Sequence, residues 1–518
     1  MPVDTPAWAR DAVFYQIFPD RFAASPRVPK PGPLEPWDAS PTNHGFKGGD
    51  LLGIVEHLDH VAALGCNALY LNPIFQSASN HRYHTYDYLA VDTLLGGDEA
   101  LGALLDAAHA RGIRVVLDGV FNHTGRGFWP FHHVLENGGG SPYRGWFHFD
   151  QAALDRGVPI DAYPEARVRA QLIPGDHPGD HSTVPGGTGD STTRLGYQAW
   201  WDMPALPKLN LDEPAVRELI WSVAEHWLRR GIDGWRLDVP GEIQDPPFWA
   251  EFRRRCRAMN PEAYLVGEIW DVAPDWVSGD RFDALMNYPL AEAVLGFVAG
   301  ESLNEALLRA HHEYSRVERL DGPAFGARLK TLLEAYDPAV VAVQLNLLGS
   351  HDTPRALSIL GGDRRALELA VLLQATLPGA PCVYYGDEIG TLGGMDPDNR
   401  RGFRWDEATW DRELRDWTAR AFALRHAEPL LRGAGGTGIV SGDGRAMAFE
   451  RADPSGRLAV ALNPGPTPVA IVVARQAAAG RRPEILLGHE DATARPVDDD
   501  GDLVADLPAR SGLVVRVP

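Results

Sequence analysis

The stretch GWRLDVPGEI (234 to 243) sets Arg236 and Asp238 two residues apart in a run rich in strand-forming residues. Side chains at i and i+2 of a strand share a face, so a guanidinium lies beside a carboxylate. The pair alone allows two readings: a buried ion pair that holds the interior together, or a carboxylate kept ionised for chemistry by a fixed cation. Base rates favour the first, because structural pairs outnumber catalytic ones. Three further acids stand at the ends of strand-like runs: Asp118 in RVVLDGV, Glu268 in YLVGEI and Asp352 in LNLLGSHD, the last preceded by His351. Each has a plainer alternative. Glu268 could bond a backbone amide at a strand end, and Asp352 could cap a helix starting at Thr353-Pro354.

The elements that would position these acids recur along the chain. Eight short β-rich runs begin at residues 12, 66, 114, 234, 264, 283, 345 and 381. Amphipathic helical segments such as DEALGALLDAAHARG, PAVRELIWSVAEHWLRRG and RRALELAVLLQATLPG lie between several of them, each closing at or near a glycine. Eight alternations predict a (β/α)8 TIM barrel, whose active residues come from the C-terminal ends of the strands. All four acids then meet on one rim. Converging carboxylates there suit a metal cluster or a glycosidase in which one acid attacks and another donates a proton. The chain between the third and fourth runs is too long for one helix, so residues 124–210 are expected to form an inserted domain after strand 3. Residues 1–123 and 211–431 complete the barrel. Alternating stretches such as AMAFERA and PVAIVVAR in 432–518 predict a C-terminal antiparallel β-sandwich.

Composition narrows the partner. A net charge of −21 opposes nucleic acid and anionic membrane, and favours a neutral or cationic small molecule. No apolar run would span a bilayer, and the N-terminus lacks the pattern of a leader, so the expected compartment is the cytoplasm. Cys66, Cys256 and Cys382 sit in apolar runs without disulfide or zinc spacing. His177 and His181 read as residues of a solvated loop. The metal-cluster reading calls for a His-x-His pair on the first strand, where the sequence is FYQIFPDRF. The glycosidase reading calls for aromatic surface, and fifteen tryptophans are available.

Four linked stretches carry a resemblance. DGVFNH (118 to 123), GWRLDV (234 to 239), VGEIW (266 to 270) and GSHDT (349 to 353) resemble, in order and spacing, those of the α-amylase family of glycoside hydrolases, family 13. MPALPKLN (203 to 210), FPDRF (18 to 22) and LLGSHDTPR (347 to 355) resemble the subgroup of neopullulanases, cyclomaltodextrinases and maltogenic amylases. The resemblance implies a retaining α-glucan hydrolase acting on α-1,4 bonds of maltodextrins, cyclomaltodextrins, starch or pullulan, with some α-1,6 cleavage or transfer. An exo-acting α-glucosidase or maltodextrin glucosidase and a 4-α-glucanotransferase are the alternatives within the family. A non-catalytic glucan-binding protein that keeps the barrel is the alternative outside it.

The same resemblance implies Asp238 as nucleophile, Glu268 as general acid and base, and Asp352 as the third carboxylate. Arg236 would keep Asp238 ionised. His81, Tyr83, His123 and His351 would bind the sugar at the cleavage subsite, Asp396 and Arg400 the next glucose, and Glu242 the leaving-group side. No cofactor is required. Calcium is the metal alternative at two separate places, one with Asp50, although the segment after FPDRF reads AASPRVPK and offers no oxygen-rich run, and a second with Asn122 and groups of the inserted domain. The subgroup's N-terminal domain has no counterpart before the first run, which implies a monomer or an oligomer of another kind.

Overall fold

The computed structural model describes residues 3–164, 191–310, 316–433 and 435–518; His177 and His181 lie outside them. All eight expected runs form strands: β1 Phe14–Ile17, β2 Ala68–Leu71, β3 Arg114–Gly119, β4 Gly234–Leu237, β5 Tyr264–Gly267, β6 Ala284–Leu285, β7 Leu345–Leu347 and β8 Ala380–Tyr384. They form one sheet in the order β6-β5-β4-β3-β2-β1-β8-β7, and a bridge from Met286 to Leu345 joins the β6 side to β7. The architecture is a (β/α)8 barrel followed by antiparallel sheets. Every strand residue except Arg114 is buried, as expected where side chains on one face fill a barrel and those on the other meet helices.

The strands are shorter than the apolar runs, and local polar groups say why. Asn287 ends β6 by accepting the Leu290 amide at the start of a helix, Tyr288–Ala299, with Pro289 in its first turn. After β7, Ser350 N donates to Thr353 Oγ1 at 2.8 Å and folds the chain into a turn. The helices Gly97–Ala110, Pro214–Arg229 and Arg364–Thr376 stop short of Gly112, Gly231 and Gly379. These glycines have φ of 71°, 107° and 107°, the left-handed region that only glycine enters at no steric cost. In Pro214–Arg229 the buried residues Val216, Ile220, Val223 and Trp227 repeat at helical spacing and form the inward face.

The chain divides into two compact units. One comprises Ile17–His57 and Tyr70–Glu268 and carries β3, β4 and β5. It also holds an aromatic cluster in which Phe131 stands 5.0 Å from the rings of both Phe147 and Tyr197, inside the segment 124–210. The other comprises Met1–Gln16, Leu58–Leu69 and Ile269–Pro518 and carries β6 to β8. Its C-terminal part has a five-stranded and a three-stranded antiparallel sheet, with Ala448, Ala459 and Ala461 of the first packed with Ile471, Val473 and Leu503 of the second. No helix among the described residues is long and apolar enough to cross a membrane.

Candidate active site

Strand register brings four charged groups together at the ends of β3, β4 and β5. Asp118 pairs with Arg236, and Arg236 with Val266, in the parallel ladders. Asp238 and Glu268 lie two residues beyond Arg236 and Val266, so all four side chains face the same way. The backbone keeps this register past the strands: Asp238 N donates to Gly119 O, and Glu268 N to Leu237 O, each at 3.0 Å. Neighbouring strands lie about 4.8 Å apart, which suits the carboxyl spacing of about 5 to 5.5 Å that retaining glycosidases use.

Arg236 is the hub. Its Nη1 donates to Asp118 Oδ1 and Oδ2 at 2.8 and 3.0 Å and to Asp238 Oδ1 at 2.9 Å, and its Nη2 lies 2.8 Å from Glu268 Oε2. Asp118 also accepts from the hydroxyls of Tyr70 and Tyr83, each at 2.9 Å, and is fully engaged. Asp238 Oδ2 accepts no hydrogen bond among the described residues. Burial raises the Asp238 carboxyl well above its usual range; the attraction of Arg236 opposes that rise, and the charges of Glu268 and Asp118 add to it. Asp118 is likewise raised by burial against Arg236. The cation expected beside Asp238 is present, yet it serves three carboxyls. One positive charge cannot neutralise three buried negative ones, so the cluster favours retaining a proton.

Val239 follows Asp238 with φ 35° and ψ 50°, a left-handed conformation that a β-branched residue rarely adopts. Such a residue costs about 1–3 kcal/mol. The conformation turns the Val239 amide onto Glu268 Oε2 at 3.1 Å, which links the backbone after one acid to the side chain of the other.

Around this hub, His81 accepts the Tyr83 amide on Nδ1 at 3.2 Å, and its ring stands 5.7 Å from that of Tyr83. Asn72 Nδ2 donates to the Tyr83 hydroxyl at 3.1 Å, which locks the ring. His123 is buried. Asn122 Nδ2 faces its Nδ1 at 3.3 Å, leaving the proton on Nε2. Burial pushes the His123 imidazole down to about 3, so it is a neutral donor near pH 7. Glu242 is exposed on the turn Pro240–Glu242 and pairs with Lys208 at 2.8 Å.

The other unit positions His351 and Asp352 in the turn after β7. Gln16 Nε2 donates to His351 Nδ1 at 3.0 Å; Nε2 of the imidazole, bearing its hydrogen, then lies 3.1 Å from Asp352 Oδ2. Arg400 approaches Asp352 Oδ1 at 3.3 Å and Asp396 Oδ1 at 3.0 Å, while its Nε donates to the His351 carbonyl at 2.8 Å. Asn399 Nδ2 donates to the carbonyls of His351 and Thr353 at 2.7 and 2.8 Å. Asp352 caps no helix: the next one, Ala356–Ile359, follows Arg355 without a side-chain cap.

Asp50 accepts the amides of Gly53 and Ser25 at 2.7 and 2.9 Å, and the Lys30 ammonium lies 3.1 Å from its Oδ2. An ammonium and two amide donors around this carboxylate do not fit a calcium ligand. Asn122 Oδ1 is buried without a hydrogen-bond partner, but no group of three His, Cys, Asp or Glu able to hold a metal occurs among the described residues.

Sequence reasoning missed Tyr70, Gln16, Asn399, Lys208 and Val239. Their partners lie up to hundreds of residues away or, for Val239, in a backbone angle that no residue type announces.

Residues 16–421 match the α-amylase catalytic domain. The chain belongs to the α-amylase family. Within that family it is 40% identical over 472 residues to a cyclomaltodextrinase from Bacillus sp, covering 89% of this chain and 75% of that protein. It is 40% identical over 425 residues to neopullulanase 2 from Thermoactinomyces vulgaris, covering 82% of this chain but 64% of that protein. A crystal structure of a debranching enzyme from Nostoc punctiforme superposes with a TM-score of 0.85 at 43% identity, covering 100% of both chains. As an α-amylase-family glycoside hydrolase, the chain acts on α-glucans.

Proposed function

We propose that the chain cleaves α-1,4-glucosidic bonds of maltodextrins, cyclomaltodextrins, starch or pullulan by double displacement, with Asp238, Glu268 and Asp352 as the acting carboxyls. The observation that carries this is the single guanidinium of Arg236 reaching both Asp238 and Glu268 at the ends of adjacent strands. Asp238 attacks the anomeric carbon as the bond to the leaving oxygen breaks, and Glu268 passes its proton to that oxygen. Glu268 then takes a proton from water, the water oxygen bonds to the anomeric carbon, and Asp238 is released. Asp352, held by His351 and Arg400, and the neutral donor His123 bind hydroxyls of the reacting sugar. Tyr83 and His81 provide its platform, and Asp396 and Arg400 grip the neighbouring ring.

Cleavage of α-1,6 bonds joins this reading because a relative of full matching length is a debranching enzyme. Asp50 holds no calcium in it, since the Lys30 ammonium occupies its side chain. The domain division in this reading is 1–123 and 211–431 for the barrel, 124–210 for the insert around Phe131 and 432–518 for the sandwich. The compartment is the cytoplasm, in keeping with the buried thiols of Cys66, Cys256 and Cys382. Product analysis after incubation with β-cyclodextrin, pullulan and soluble starch tests the proposal. Maltose and glucose from cyclodextrin, absent with Asp238→Asn, are expected; hydrolysis by the Asp238→Asn protein at the wild-type rate would overturn it.

A further inference from the structure

An aromatic ladder leads outward from His123. The indole of Trp200 stacks on the His123 imidazole at 4.8 Å with 7° between planes, and Trp201 stacks on Trp200 at 5.0 Å and 28°. Together these separations put the Trp201 ring no more than about 10 Å from His123. Trp201 is 51% exposed, among the largest exposures of any big apolar side chain described. Water-facing indole is unfavourable, and so is the backbone beneath it: Trp201 and Asp202 both have positive φ, 51° and 57°. Neither feature is a slack loop's accident. Asp202 Oδ1 accepts the Ser191 amide at 3.1 Å and its carbonyl accepts from Arg194 Nη2 at 2.8 Å. Trp200 is fixed by its own amide, which donates to Leu206 O at 2.9 Å, and by packing on Met203, Ala205 and Leu206.

We infer that Trp201 is a stacking platform for an α-glucan pyranose ring outside the reacting sugar, and therefore a residue that sets preference for longer chains. The inference rests on the hydrolase reading, which places a sugar at His123. The C–H face of a pyranose is apolar and flat on the scale of an indole, whereas its hydroxyls point to the edge. A fixed, exposed ring continuous with the site binds such a face without demanding hydroxyl partners. The left-handed backbone at two successive residues is what aims the ring outward while Trp200 stays packed beneath.

The test is Trp201→Ala in the full chain, with Trp201→Phe as the conservative partner. Trp201→Asn serves if alanine lowers expression, because asparagine accepts the left-handed region and still removes the ring. For maltoheptaose kcat/KM is expected to fall about tenfold or more, through KM, with maltotriose changed less than about threefold and phenylalanine restoring most of the loss. Equal losses on both substrates, or none, would overturn the inference. A second readout needs no turnover. In the Asp238→Asn background, migration in native gels containing soluble starch should be retarded with Trp201 intact or with Trp201→Phe and faster with Trp201→Ala; equal retardation in all three would overturn it. Because this readout is independent of hydrolysis, failure of the hydrolase reading and failure of the platform are distinguished.

Discussion

Replacing Arg236 by lysine keeps the positive charge and removes the fork. The guanidinium makes four contacts of 2.8–3.0 Å with Asp118, Asp238 and Glu268. A lysine ammonium is a single point donor and cannot meet all three carboxyls from one position. One hydrogen bond to a charged group contributes about 1.5–3 kcal/mol. Loss of the contacts to Asp238 and Glu268 therefore corresponds to roughly 3–6 kcal/mol, or about 10²- to 10⁴-fold in kcat. The pH profile adds a sign. Asp238 must be ionised to attack, burial already raises it, and a weaker cation contact raises it further. The acid limb of kcat/KM should consequently move to higher pH in the lysine variant. The assay is initial-rate hydrolysis of maltotriose between pH 4 and 9, with thermal unfolding to establish that the variant is folded. A folded lysine variant with kcat within threefold of wild type and an unmoved acid limb would refute the role given to Arg236.

Four other outcomes follow from the structure. His123→Ala should lower kcat/KM by about 100- to 1000-fold, the scale of one lost transition-state hydrogen bond. The ratio to wild type should stay flat from pH 5 to 8, because the imidazole is held down to about 3 and is neutral throughout; a tenfold drift in that ratio would contradict this. Prolonged treatment with a chelator should leave rate and melting temperature unchanged. Lys30→Ala should destabilise by about 3–5 kcal/mol, because buried Asp50 loses its cation, and calorimetry with and without chelator checks both. Arg451→Leu should lower stability by about 2–4 kcal/mol in denaturant titration, since buried Arg451 donates to the carbonyls of Thr376, Leu431 and Gly433; an unchanged midpoint would contradict it.

The barrel was legible because its signals are local. Apolar runs of strand length, helical periodicity and glycines placed for positive φ recur, and each of the eight runs forms a strand. Strand-end position was enough to nominate Asp118, Asp238 and Glu268, because the parity of a strand fixes the face. Legibility stopped where partners are distant in sequence. That Arg236 also binds Asp118, across 118 residues, depends on register between strands, which no periodicity encodes. The tautomer of His351 is set by Gln16, 335 residues away. The strain at Val239 arises from the geometry needed after Asp238 and leaves no mark in composition. Calcium at Asp50 was a family expectation that one side chain, Lys30, argues against; a lysine twenty residues upstream is not a signal until the fold brings it to 3.1 Å.

The central claim is that Asp238 forms a covalent bond to the sugar while Glu268 handles the proton. Incubating the Glu268→Gln protein with an activated α-glucosyl fluoride bearing a second, ring-deactivating fluorine should accumulate the intermediate. The variant cannot speed its hydrolysis by general base catalysis, and fluoride leaves without acid assistance. Peptide mapping by mass spectrometry should then find one added glycosyl group, on the peptide containing Asp238. A label on another carboxylate, or turnover with inversion at the anomeric carbon, would contradict the account.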